Sequence, residues 1–424
     1  MTRPLLIIFL TIFVNLVGFG IIIPLLPFYA QTFGASPLTI GLLFAIFSLC
    51  QLLAAPALGD LSDRYGRRPV LVFSLAGTVV SFVMLAMAHS VAMLFLARIV
   101  DGLSGGNIST ARAYVADITA PEDRARAYGL IGAAFGLGFI FGPALSGILA
   151  RVSYTAPIWA AAGITVVATL MAWLWLPETV HRTQAGTGNP FRYLPELLRR
   201  PLVRRVLVID FVYWTSFAIF QTTFALFTAR RFGFDAPKTG YVFAAFGVLG
   251  AVIQGGFIRP IVRRLGDKST LMLGLACGAF GLLACAMVHS VPLFMLTLVP
   301  LAFGIGFGHP TMASLVSLVA DGDEQGRVQG AAGAVESLGR TIGPVWGNAS
   351  LNIQGPGVIT INMGLTRKFQ VREKQSVEFR AEAFNLPNHM NPNNPVTAIN
   401  NQNFGKILSA GEPRIIQLAL KYLF

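Results

Sequence analysis

Eleven apolar runs, each close to the ~20 residues that a helix needs to cross a bilayer core, constrain this chain more than any other feature. They fall at about 5–28, 38–58, 70–88, 91–116, 128–150, 156–177, 205–229, 238–258, 270–288, 292–319 and 328–346. Helices that are apolar all round are stable only where their surroundings are apolar too. Composition agrees, since 54% of the 424 residues are hydrophobic and only 12% charged, whereas an ordinary soluble domain is about 25% charged. The expected fold class is an all-α polytopic membrane protein. The first run is too long for a secretory leader and no small-residue cleavage site closes it, so it is expected to be the first span.

The formal net charge of +13 sits in short loops. Arg3, Arg64, Arg67, Arg68, Arg124, Arg126, Arg182, Arg199, Arg200, Arg204, Arg205, Arg263, Arg264, Lys268 and Arg327 occupy alternate loops. The other loops offer Arg151, Arg230, Arg231 and Lys238. That asymmetry encodes orientation in a lipid bilayer and not a grip on nucleic acid. It predicts a cytoplasmic amino terminus and central loop, with the segment past 347 emerging in the periplasm. Cys50, Cys277 and Cys285 lie in apolar runs without metal-ligand spacing and are expected to pack as small core residues. The histidines His89, His181, His289, His309 and His389 are scattered, with His309 placed where it can line a cavity. No nucleophile–base pairing, metal spacing or phosphate loop appears, so neither an enzyme, a cofactor nor ATP as energy source is expected.

The chain repeats itself. Gly41-Leu-Leu-Phe44-Ala-Ile-Phe47 aligns with Gly240-Tyr-Val-Phe243-Ala-Ala-Phe246, and Gly142-Pro143 with Gly343-Pro344. Two halves are expected, 1–177 with six helices and 205–346 with about five, joined by a cytoplasmic linker at 178–204. A substrate would bind near the midplane between them.

Three strings carry chemistry. Gly59-Asp60-Leu-Ser-Asp63-Arg64-Tyr-Gly66-Arg67-Arg68 packs acids against arginines in one short turn, where a partly dry ion pair is worth more than on an open surface. Arg98-Ile-Val-Asp101 sets a charge deep inside a span, which costs several kcal/mol unless it has a partner or a wet cavity. Gly129, Gly138, Gly142, Pro143 and Gly147 mark a run where small residues let helix backbones approach and proline bends the helix.

These strings resemble the signature loop, the second motif and the antiporter motif of the major facilitator superfamily, and residues 5–346 resemble its drug:proton antiporters, above all the tetracycline exporters. Asn15-Leu-Val-Gly18-Phe-Gly20 and Tyr114-Val-Ala-Asp117 carry that likeness further, with Gln51 and Gln254 matching glutamines of helices two and eight. The resemblance implies a gating loop at Gly59–Arg68, proton coupling through Arg98 and Asp101, and a substrate cavity lined by Asn15, Gln51 and Gln254. The glutamines could instead only bond neighbouring helices. It also implies a monomer in the bacterial inner membrane that exchanges a small amphipathic compound, such as a tetracycline, for protons. The chain departs from that pattern at Asn15, where the relatives carry an acid, at Gly250, where they carry a histidine, and in helices three and nine, which lack acids. Asp101 is then the expected proton site, with Glu336 near Arg340 and Asp210 as the other intramembrane acids. An uptake symporter of the same fold, a non-functional gene fusion and an outer-membrane receptor fragment are the alternative readings.

Past Gly347 the pattern changes to period two. Ile359, Ile361, Met363 and Leu365 share one face; so do Val377, Phe379, Ala381 and Ala383, with Glu378, Arg380 and Glu382 opposite. Residues 347–424 resemble the end of a TonB-dependent outer-membrane barrel, through Glu378-Phe-Arg380-Ala-Glu382-Ala-Phe384-Asn385 and the terminal Phe424. A short β-rich tail is expected where a twelfth helix would stand, and so few strands cannot close a barrel.

Overall fold

A computed structural model describes residues 3–105, 107–119, 124–179, 190–319, 325–350, 363–372, 375–384 and 415–423. The chain forms two compact units, 1–352 and 353–424. The expected linker string 183–189, the tail residues Ile359 and Ile361, Asn385 and Phe424 lie outside the described residues.

The first unit is helical throughout. In chain order it contains α1 (Arg3–Gln31), α2 (Pro37–Tyr65), α3 (Arg67–Ala86), α4 (Val91–Ser104), α5 (Asn107–Ile118), α6 (Arg124–Leu149) and α7 (Ala156–Trp175). After these come α8 (Pro190–Arg199), α9 (Pro201–Phe232), α10 (Ala236–Val252), a π-helical turn at Ile253–Phe257, α11 (Ile258–Met287), α12 (Val291–Leu318) and α13 (Gln325–Ser350). Each of the eleven apolar runs therefore contains helix among its described residues. By length and composition, seven described stretches suffice to cross a membrane. One of these, Ala236–Met287, has 52 residues, long enough for two crossings at about 1.5 Å per residue. It is interrupted at Gly266, whose φ of +75° and ψ of 165° no helix contains. The helices outside that set are α4, α5 and α8, which have 14, 12 and 10 residues, together with α9 and α13.

Local chemistry sets the helix ends. Ser36 and Ser90 accept from the backbone N–H of Thr39 and Met93, and Asp235 accepts from that of Lys238, each satisfying a donor that the first turn leaves orphaned. Three details differ from expectation. The fourth run is broken at Gly105, because tandem glycines carry little helix propensity. The expected linker contains α8, whose Leu194, Leu197 and Leu198 sit at helical spacing and pack into the core of the second half. The last helix continues past 346 to Ser350.

The halves meet at one end of the bundle. There the cores are shared: Leu25, Leu26 and Tyr29 of α1 cluster with Ala225 and Leu226 of α9, and Ile23 of α1 with Phe224 and Phe243. At the other end they separate. Ile8, Leu71, Tyr114 and Ala172 form a cluster of first-half residues, and Leu207, Leu271, Met312 and Val328 one of second-half residues. The shared end is sealed by backbone approach at two equivalent points. A Cβ on Gly240 of α10 would stand 2.8 Å from the Pro143 carbonyl oxygen of α6, and one on Gly41 of α2 would overlap the Pro344 carbonyl of α13. These are the repeated residues of the sequence, brought together crosswise.

The second unit is an antiparallel sheet in the order β1 (Met363–Arg372), β2 (Gln375–Phe384), β3 (Ile415–Leu423). Its register pairs Leu365 with Ala381 and Ala381 with Leu418, with an irregularity between Gln370 and Arg372. Phe379, Ala381 and Ala383 stand opposite Leu420, Leu418 and Ile416, giving one apolar face. On the other face, Arg380 lies 2.8 Å from Glu378 and 3.7 Å from Glu382.

Filling the seam opposes closure. Gly41→Leu and Gly240→Leu should each disfavour the sealed end by about 1–3 kcal/mol, the usual size of overpacking. In an otherwise cysteine-free chain, a reporter at Ala225→Cys should then react faster with a membrane-impermeant maleimide. Unchanged reactivity would mean that the two approaches do not hold the end shut.

Candidate functional site

The charged turn between α2 and α3 is built from both sides of Gly66. Gly66 has φ +109°, open to glycine, and a Cβ there would overlap the Glu178 carboxylate. It leaves α3 with no side-chain cap of its own. Glu178, beyond the end of α7, supplies one from 111 residues away: Oε1 accepts from the Arg67 N–H at 2.9 Å, and Oε2 accepts from the Arg68 N–H at 3.2 Å. An anion at the positive end of a helix is favoured by its dipole.

The Arg67 side chain gathers the rest. It pairs with Asp63, donates from Nε to Asp117 Oδ2 at 3.1 Å, and donates from Nη1 to Ser62 Oγ at 2.7 Å. Arg68 donates to the Trp173 carbonyl, and the Tyr114 hydroxyl to the Pro177 carbonyl at 2.9 Å. Asp63 is buried, Asp60 half-buried and Arg64 exposed. The described partners of Arg67 and Arg68 all belong to the first half, so the turn ties the ends of α2, α3, α5 and α7 into one body.

Deeper in the same half, Arg98 is 1% exposed and Asp101 6%. Arg98 Nη1 donates to Asp101 Oδ2 at 2.7 Å, while the guanidinium stands 4.1 Å over the Phe47 ring. Ser81 and Thr78 of α3 reach the same carboxylate with their hydroxyls. Gly102 lets α4 press on the Phe47 carbonyl of α2. One turn along α2, Gln51 donates from Nε2 to the Gly105 carbonyl at 2.9 Å, bonding α2 to the break after α4. Asn15 is half-buried on α1, and Gln254 is exposed on the π-helical turn. These three amides are not joined by any described hydrogen bond. A concave space of about 420 Å³, lined by Ile258, Arg259, Val262 and Arg263, lies near the α10–α11 interruption and touches none of them.

The small residues of α6 serve two contacts. Gly138 and Gly142 press on Leu16, Val17 and Gly20 of α1, while Gly147 presses on Pro237 and Tyr241 of α10. Gly129 lies in α6, its surroundings outside the described residues. Sequence reasoning missed Glu178. The available signal was a helix starting after glycine with no capping side chain of its own, which requires an acceptor from elsewhere.

Residues 8–344 match the family model described as Major Facilitator Superfamily. The chain belongs to the major facilitator superfamily. As a facilitator it is an integral membrane transporter. Residues 324–417 also match a model described as an outer membrane beta barrel domain, and the stretch that both models claim lies within α13. Among curated proteins, this facilitator is 32% identical over 351 residues to the class C tetracycline resistance protein of Escherichia coli, covering 81% of this chain and 88% of that one. It is 34% identical over 336 residues to the class G protein of Vibrio anguillarum, covering 77% and 85%. Among solved structures, the human organic anion transporter MFSD10 (TETRAN) superposes with a TM-score of 0.64 at 26% identity, over 81% of this chain and 92% of that one. The nucleoside transporter NupG superposes with a TM-score of 0.68 over 82% and 91%; at 12% identity it shares the fold alone.

Two substitutions separate the roles of these groups in stability. Glu178→Ala should lower stability by about 1–2 kcal/mol through loss of the cap, seen as a lower thermal midpoint in detergent, with Glu178→Gln recovering part. Arg98→Ala should cost more, about 3–5 kcal/mol, because it strands a buried carboxylate. Equal midpoints for Arg98→Ala and the unaltered protein would show that Asp101 needs no counter-charge.

Proposed function

We propose that this facilitator exports a small amphipathic compound, such as a tetracycline, in exchange for protons, by alternating access between the halves 1–177 and 205–346. The single observation that carries the reading is the division of the cores, shared at one end and segregated by half at the other. A transporter that is sealed on one side and parted on the other needs only a rocking motion to present its interior to the opposite face. By the distribution of arginine and lysine the sealed end faces the periplasm, with the amino terminus and the 178–204 segment in the cytoplasm of an inner-membrane protein.

The roles in this reading come from the resemblance to the drug:proton antiporters. The Gly59–Arg68 turn, braced by Asp117 and Glu178, moves with the first half as a rigid cytoplasmic lever. Gly138, Gly142, Pro143 and Gly147 let α6 slide on α1 and α10 without side chains in the way. Arg98 and Asp101 couple proton movement to the α2–α4 contact, and Asn15, Gln51 and Gln254 offer neutral hydrogen-bonding groups to the compound. Export is favoured over uptake by the α6 string and by the names of the tetracycline relatives. The tail, 353–424, forms a separate unit and is read as the product of a fusion, dispensable for transport. The working unit is a monomer.

Drug susceptibility in a host lacking its own pumps tests this reading. The full chain should raise tolerance to tetracycline several-fold, a truncation after Asn352 should keep that protection, and Asp63→Asn should abolish it. In everted vesicles, pH-driven uptake should disappear in Asp101→Asn; its persistence would remove that aspartate from coupling. Absence of protection by every inserted form would defeat the exporter reading for this drug.

A further inference from the structure

α9 and α13 run side by side in the same direction, and independent contacts give a single register. Asn348 Nδ2 donates to Thr222 Oγ1 at 3.2 Å, an offset of 126 residues. Arg340 stands 5.6 Å over the Trp214 ring at the same offset. Gly339, Gly343 and Gly347 step along Thr215, Ala218 and Thr223 in the same sense. Carried one turn toward the start of both helices, this register sets Glu336 opposite Asp210.

Their surroundings are buried and polar. Asp210 is 1% exposed and its Oδ2 has no hydrogen-bond partner among the described residues. One turn along α9, the Tyr213 hydroxyl is also buried without a described partner, and it feels both carboxylates. Nearby, Arg340 of α13 stands over the Trp214 ring and His309 of α12 meets the same ring edge-on at 5.1 Å, while Glu196 and Arg199 of α8, which packs against both helices, are exposed. Arg204 and Arg205, nearer the start of α9, are exposed. The register sets two acids across one helix contact, unlike the Arg98–Asp101 site, where one acid meets one arginine.

We propose that Asp210 and Glu336 form a proton-carrying site of the second half, in which one of the two carboxyls holds a proton while the other is ionised. Like charges facing each other where water is scarce are relieved by binding a single proton. The proton comes from the aqueous side to which the halves are parted and leaves to the other side after they rock; no bond other than O–H forms or breaks. Tyr213 can donate to the carboxylate oxygen that remains bare. Both helices also build the sealed end, α9 through Ala225 and Leu226 and α13 through Pro344. Occupancy of the pair can therefore bias the seam. The site replaces the acid that Asn15 lacks, and its use in transport rests on the exchange reading above.

The test uses the full chain in lipid vesicles. Infrared difference spectra across a pH titration should show the C=O stretch of a protonated carboxyl at neutral pH, lost in both Asp210→Asn and Glu336→Gln and restored in Asp210→Glu. In the same vesicles, both amide variants should lose pH-driven tetracycline accumulation by about tenfold or more, a usual size for coupling between two ligands. Tetracycline counterflow at equal pH should persist. A band unchanged in both variants overturns the proposal, as does undiminished pH-driven accumulation or an equal loss of counterflow, which would mark a structural pair. Should the unaltered protein accumulate no tetracycline, the exporter reading fails by itself, and the infrared band still decides the pair.

Discussion

Backbone approach at glycine is the interaction on which the helical unit depends. At Gly41 and Gly240 nothing larger than hydrogen fits beneath the carbonyls of Pro344 and Pro143. In lipid, helix association gains little from the hydrophobic effect and depends on close packing instead. Proline makes the partner suitable, because its ring removes a backbone donor and loosens the helix around it. The two contacts are equivalent by the internal repeat, so the seam is one device used twice. Both halves must be in place for either copy to work.

Buried charge is the second constraint, and the two halves meet it differently. In the first, Arg98 and Asp101 neutralise each other in a ring of Phe47, Ser81 and Thr78, an arrangement that fixes α2, α3 and α4 together. Along the α9–α13 contact, the register sets two acids opposite each other. Intramembrane ionisable groups mark a path for an ion or substrate by default.

Much of this architecture was legible. Apolar run length gave the helices, the Gly41–Phe47 and Gly240–Phe246 strings gave the two glycines of the seam, and alternation at Val377–Ala383 gave the face of β2 and its opposition to Glu378, Arg380 and Glu382. Most of the rest depends on partners distant in sequence. Glu178 meets Arg67 only because α7 ends beside the start of α3, a relation with no period to reveal it. Gln51 bonds Gly105 because the helix breaks there, and the broken run had looked continuous in hydropathy. α8 was hidden by its charge, although Leu194, Leu197 and Leu198 carried the helical spacing.

The end of the facilitator fold explains how the chain can stop being one. α13 completes its contacts with α9 and α2 at Gly347 and Asn348, and the compact unit closes at Asn352. Little of the seam remains to be built beyond that point. Apolar residues of α11 such as Met272, Phe280, Leu283 and Met287 are exposed. Lipid chains cover such faces almost as well as a helix does, because both are hydrocarbon. The sheet that follows has the opposite need. Among the described residues its outer strands each pair on one side, and its face displays Ile416, Leu418 and Leu420, so it is tolerated in water only as long as exposed edges do not pair with other chains. The helical unit is therefore self-sufficient in lipid where it ends, whereas the strands attached to it are not self-sufficient in either phase.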